Sequence, residues 1–135
     1  MLNKISKILY LVAGFVSIAA AVAYISLGVM FVVFGTSGDV QYYLVQNFEN
    51  GSLTLVDANL TIEQNAEFVM LVFLTSGITF LVLSVFVIVN IVLTFIARRE
   101  TNKKLDILNI VFGLLSGVEI NVAAAILSLI ASRNE

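Results

Sequence analysis

The chain has 135 residues, 60% of them hydrophobic and 12% charged, so it is too apolar for a soluble domain and too short for more than one compact unit. It contains no Cys and no His, which excludes a disulfide framework, a thiolate nucleophile, an imidazole base and the usual zinc ligands. Its net charge of −2 is divided unevenly, with basic and acidic residues in separate segments. These properties predict a non-enzymatic integral membrane protein without a metal or cofactor.

The first predicted helix covers about residues 5–35. No charged residue lies between Lys7 and Asp39, and about twenty apolar residues are enough to cross a bilayer as a helix. A cleaved signal peptide is the alternative, because two lysines precede an apolar run that reaches the small residues 21–23. The apolar run continues to Phe34, well beyond the usual length of a signal peptide, so we favour an uncleaved spanning helix.

The outer loop, residues 36–61, contains no Lys or Arg and carries several carboxylates. Within it, Asn50-Gly51 separates a run rich in Tyr, Val and Leu at 40–48 from an alternating segment at 52–56. Asn-Gly between two such runs is typical of a two-residue β-hairpin turn. We therefore predict a short β-hairpin here, with an irregular loop as the alternative, since an isolated hairpin is only marginally stable.

The second predicted helix covers about residues 62–98. Thr61 and Gln64 form a capping-box pattern that marks its start. No charged residue lies between Glu67 and Arg98, so this helix too is long and apolar enough to cross a bilayer.

The distribution of charge predicts the orientation of these two helices. Lysine and arginine are found before the first helix and in a basic inner loop at residues 98–105, on either side of the acidic outer loop. By the positive-inside rule, the N-terminus and the basic loop are cytoplasmic and the acidic loop is outside. An outer loop without Cys, in a chain rich in Ile and Asn, indicates a multi-pass protein of the bacterial cell (inner) membrane.

The third apolar segment covers about residues 106–132 and is interrupted at 117–121. Side chains on both sides of the interruption keep one helical phase, so we favour one continuous helix and a bundle of three transmembrane helices. The alternative is a broken or re-entrant hairpin of two half-length helices, which gives four helices in all. Arg133 favours this alternative, because only a re-entrant pair returns the C-terminal end to the cytoplasmic side.

Small residues indicate where the helices pack. Gly113 and Gly117 form a GxxxG motif, and Ser17 and Ala21 in the first helix offer a matching face. In lipid no hydrophobic gradient drives helices together, so close approach of backbones through small residues is the usual source of affinity. This seam can join two copies or close one copy. We favour packing within one chain, because so small a bundle needs its small faces to close itself.

Four polar residues inside the apolar segments form a candidate intramembrane site, namely Glu119, Ser84, Asn90 and Asn121. Glu119 lies near the midplane if the third helix is continuous, where burying its charge costs on the order of 3 kcal/mol. One interpretation is a proton or ion relay, or a ring of carboxylates in an oligomer. We favour a neutral carboxyl that cross-links helices, with the asparagines bonding across helices at well under about 2 kcal/mol each. In the re-entrant alternative, Glu119 lies instead at a solvated loop tip.

The C-terminal third, residues 108–117 followed by 121–127, resembles uncharacterised small polytopic membrane proteins of low-GC bacteria. The shared features are a basic loop, a short apolar segment with a Leu-Ser-Gly break and a closing apolar segment. Such proteins are often drawn with four spans, so the resemblance implies the broken hairpin. It implies no activity and no functional residues.

Our functional expectation is an accessory or assembly subunit that packs against a larger membrane protein or against copies of itself. The alternative is an oligomeric ion or proton channel, or a small transporter, that uses Glu119. We expect the lipid bilayer and another membrane protein or a second copy as partners, and no nucleic acid. An enzyme is the least favoured class, because membrane hydrolases need a nucleophile and base pair that this chain lacks.

Overall fold

The structure, a computed structural model, describes residues 1–133, which form five α-helices and no β-strand. The helices are α1 (Leu2–Thr36), α2 (Gly38–Glu49), α3 (Ile62–Arg99), α4 (Lys103–Ser116) and α5 (Glu119–Ala131). The prediction of a helical protein is confirmed. The prediction of a β-hairpin is wrong, since residues 36–61 contain α2. The favoured single third helix is also wrong, because that segment contains two helices, as in the alternative of a broken hairpin.

Two of the helices, α1 and α3, are long and apolar enough to cross a membrane, as predicted. Their 35 and 38 residues correspond to lengths of about 52 and 57 Å. The reciprocal capping box at the start of α3 is confirmed, because the Gln64 amide donates to Thr61 Oγ1 at 3.2 Å and the Thr61 amide donates to Gln64 Oε1 at 3.0 Å.

The segment predicted as a strand forms α2 because its apolar residues recur every four positions. Val40, Leu44 and Phe48 lie on one face, which packs against Ala66 of α3. The amide of Val40 donates to the Ser37 hydroxyl at the N-cap. Gly51 has a φ of 76°, so the Asn-Gly pair supplies the left-handed residue that ends a helix rather than a hairpin turn.

The predicted third helix breaks at Gly117, which has a φ of 72°. The Val118 amide donates to the Gly113 carbonyl at 2.9 Å, which closes the end of α4 and lets α5 fold back against it. The apolar pattern keeps one helical period across the break because both α4 and α5 bury a face of small and polar residues. At about 21 and 20 Å, neither α4 nor α5 matches the 30 Å hydrocarbon thickness.

The chain divides into two compact units, Met1–Ile25 with the chain from Val82 onward, and Ser26–Leu81. In the second unit, α1 and α3 are in near backbone contact at three glycines, Gly28, Gly35 and Gly77. A Cβ added at Gly77 would lie 2.7 Å from the backbone nitrogen of Val32, so nothing larger than glycine fits without moving a helix. Phenylalanine rings from both helices, Phe31 and Phe34 of α1 with Phe73 and Phe80 of α3, contact one another in tilted and edge-on geometry.

The first unit has a core of few large side chains. Tyr10, Ala97, Ala124 and Ala125 form its buried cluster, and many of the other buried residues are polar. Hydrogen bonds between buried polar side chains therefore contribute much of the contact between these helices.

Candidate functional site

Five buried polar residues of the first unit meet in one group, here called the asparagine cluster. Its members are Ser17 from α1, Asn90 and Thr94 from α3, Asn109 from α4 and Asn121 from α5, and each is 0% exposed. Asn90 and Thr94 are one turn apart and therefore share a face of α3. The cluster connects four helices through their side chains.

Asn121 is the centre of the asparagine cluster. Its side-chain nitrogen donates to Asn90 Oδ1 at 2.5 Å and to both oxygens of Asn109, backbone and side chain, at 3.0 Å. The Thr94 hydroxyl lies 2.6 Å from the Asn90 carbonyl and 3.2 Å from Asn121 Oδ1. Asn90 in turn donates to Ser17 Oγ at 3.0 Å. Each amide thus bonds another helix, as buried polar groups require.

A second buried pair joins α1 to α4. Tyr10 and Asp106 are each 1% exposed, and the Tyr10 hydroxyl donates to Asp106 Oδ1 at 2.5 Å. Within residues 1–133, Asp106 Oδ2 is buried and has no hydrogen-bond partner. Asp106 lies in the first turn of α4, where the partial positive charge of the helix N-terminus favours a carboxylate.

One stripe of α1 supplies the side chains of both groups. Ser6, Tyr10, Ala13, Ser17 and Ala21 are buried at spacings of three and four residues, which places them on one helix face. The Ser6 hydroxyl donates to the Ala124 carbonyl of α5 at 3.2 Å. The stripe therefore holds α1 by hydrogen bonds spread over several turns.

The four polar residues predicted to form an intramembrane site do not all lie together in the structure. Asn90 and Asn121 lie in the asparagine cluster, and Ser84 is buried on α3. Glu119 is exposed at the first position of α5 and lies outside the cluster.

The four residues predicted to pack helices against one another lie in different places in the structure. Ser17 bonds Asn90, and Ala21 is buried on the same stripe. Gly113 is buried where α4 meets α5, since an added Cβ would lie 2.9 Å from Val122 Cγ2. Gly117 is exposed and forms the turn that ends α4, so the two glycines of the motif do not share one helix face.

Sequence reasoning missed Tyr10, Asp106 and Thr94 as site residues. Asp106 follows four basic residues, and Tyr and Thr are common in apolar runs, so nothing local marks any of the three as a buried partner. The available signal was the spacing of Ser6, Tyr10 and Ser17 on one face of α1.

The chemistry of the asparagine cluster is that of neutral hydrogen-bonding groups, because amides and hydroxyls neither gain nor lose a proton near neutral pH. Among residues 1–133, no group of three or more His, Cys, Asp or Glu could hold a metal ion. The structure thus defines a helical protein with two apolar helices of membrane length and a hydrogen-bonded polar interior in its first unit. No protein-family model, curated protein or solved structure matches the chain.

Proposed function

We propose that the protein is a non-enzymatic, multi-pass protein of the bacterial cell membrane that acts as an accessory or assembly subunit, packing against a larger membrane protein or a second copy. The asparagine cluster is the observation that carries this proposal. Its amides and hydroxyls bond one another across four helices. They hold the helices in register and leave the outer surfaces for lipid and partners.

The outer face of α4 offers a surface for such a partner. Its large apolar side chains are exposed in this chain, namely Ile107, Leu108, Val111, Leu114 and Leu115. Because α4 is only about 21 Å long, it is shorter than the hydrocarbon core of a bilayer. Association with a neighbouring protein would reduce the cost of this hydrophobic mismatch.

A photo-crosslinking amino acid at Leu114 tests the proposal in living cells. We expect a crosslink to one membrane protein or to a second copy of this chain, identified by mass spectrometry. The same amino acid at Val85, an exposed position of α3, is the matched control and should give mainly lipid adducts. Lipid adducts alone at both positions would argue against an accessory subunit.

The proposed orientation, with a cytoplasmic N-terminus, has the charge distribution as its support. Single cysteines at Ser52 and Thr101 in this Cys-free chain should react with a membrane-impermeant thiol reagent from opposite sides, Ser52→Cys from outside. Reaction of Ser52→Cys only after the membrane is opened would reverse the orientation. A cysteine added after the last residue should react from inside if α4 and α5 form a re-entrant pair.

A channel or transporter is the second candidate, and the exposure of Glu119 favours it. This carboxylate opens α5 directly after the break, and helices broken within a membrane often carry ion sites at such ends. Glu119→Gln keeps the shape of the side chain and removes its charge, and Glu100→Gln in the basic loop is the matched control. In vesicles with a pH-sensitive dye we expect no flux from the wild type. Flux that disappears only in Glu119→Gln would replace the accessory role with a channel.

A further inference from the structure

A basic groove lies between the start of α1 and the end of α3. It has a volume of about 440 Å³ and is lined by Lys7, Ile8 and Leu11 from α1 and by Arg98 and Arg99 from α3. Three of the five lining residues are cations, and none is a carboxylate. The groove is therefore complementary to a ligand that combines negative charge with apolar surface.

An apolar groove runs along α3 and ends at the same arginine. It is lined by Ile91, Val92, Phe95, Ile96 and Arg99, with a volume of about 320 Å³. From residue 91 to residue 99 the helix axis advances about 12 Å, enough to cover much of one lipid leaflet. Arg99 thus lines both grooves, with aliphatic side chains on either side of it.

We propose that these two grooves form a binding site for one anionic phospholipid. Arg98 and Arg99 hold the phosphate, because a guanidinium presents paired N–H donors that match phosphate oxygens, and Lys7 adds a third charge. One acyl chain follows Ile8 and Leu11, and the other follows α3 from Phe95 toward Ile91. The site rests on the proposed membrane location and is independent of the accessory role.

A specific site differs from the general attraction of basic residues to an anionic membrane. Each basic side chain near such a surface strengthens binding by about fivefold, wherever it lies within a Debye length. Lys103 and Lys104 are exposed in the first turn of α4, a few residues after the arginines, but line neither groove. If only general attraction acts, the lysine pair and the arginine pair contribute equally to lipid binding. If the groove binds the lipid, only the arginine pair contributes strongly.

Native mass spectrometry of the purified full chain in detergent, titrated with phosphatidylglycerol or phosphatidylcholine, tests the proposal. We expect the wild type to bind phosphatidylglycerol at least tenfold more tightly than phosphatidylcholine. Arg98→Gln with Arg99→Gln should weaken this binding at least tenfold, because the charge-assisted hydrogen bonds to the phosphate are lost. The matched control, Lys103→Gln with Lys104→Gln, removes the same charge and should change binding less than twofold.

Equal weakening by the two double variants, or equal retention of the two lipids, would overturn the proposal. Displacement of the lipid by glycerol phosphate at the same concentration would also overturn it, because the apolar grooves would then contribute nothing. If the arginine variant loses its structure, Lys7→Gln carries the same test and should weaken binding more than the Lys103 and Lys104 control does. The thiol-labelling and crosslinking experiments do not depend on this lipid, so failure here leaves the proposed function standing.

Discussion

The buried hydrogen bond from Tyr10 to Asp106 gives the sharpest test of what holds the first unit together. Tyr10→Phe keeps the ring and removes only the hydroxyl, so it leaves both oxygens of a 1% exposed carboxyl without a partner. An unsatisfied buried polar group costs about 1–3 kcal/mol, and more when it is charged. We therefore expect Tyr10→Phe to destabilise the protein by about 2 kcal/mol.

A buried thiol makes this loss measurable in mild detergent. Ser128 is 5% exposed, and Ser128→Cys introduces a single cysteine that reacts only when the helices separate. A loss of about 2 kcal/mol should speed its labelling about 30-fold, since 1.4 kcal/mol is a factor of ten.

Two further variants decide whether the hydrogen bond is the cause. Tyr42→Phe makes the same chemical change on a side chain that is 68% exposed, and it should leave the labelling rate unchanged. Tyr10→Phe with Asp106→Leu replaces both partners by apolar groups and should recover most of the lost stability. If Tyr10→Phe labels no faster than Tyr42→Phe, the pair contributes nothing and the reasoning is refuted.

Three other predictions use the same labelling and unfolding measurements. Gly77→Ala should destabilise the protein by about 1–3 kcal/mol, because its Cβ meets a backbone at 2.7 Å, while Gly38→Ala, with nothing within 4 Å, should not. Asn121→Ala removes a donor shared by three acceptors and should cost about 2 kcal/mol at roughly 0.6 each, whereas Asn47→Ala, which removes one solvent-exposed hydrogen bond within α2, should cost under about 0.5. Gly117→Ala should cost about 1–2 kcal/mol for its left-handed conformation, and asparagine there should cost less; equal tolerance of both would show that the turn has rearranged.

The long helices could be predicted because their signals are local. An uninterrupted apolar run and a capping box at Thr61 and Gln64 each depend on residues within a few turns. The outer segment was harder, because Asn50-Gly51 suits a hairpin turn and a helix end equally well. The four-residue spacing of Val40, Leu44 and Phe48 was the better guide, and it is a helical period.

The asparagine cluster could be predicted only in part. Amides in apolar runs are costly in a membrane, which singles out Asn90 and Asn121 as residues that need partners. The sequence does not say which partners they find, because Asn90 bonds Ser17 across 73 residues and Asn121 across 31. The break at Gly117 could not be predicted from periodicity either. One continuous helix and two helices that bury the same face give the same pattern of apolar residues.

The wide spacing of these partners also sets an order of events during synthesis. Ser17 and Asn90 meet as soon as α3 is complete, but the acceptor Asn90 Oδ1 has no donor from the cluster until Asn121 emerges. A chain stopped before α5 would therefore leave this amide oxygen without its donor and the polar face of α4 uncovered. The addition of α5 therefore completes the buried polar interior of the first unit.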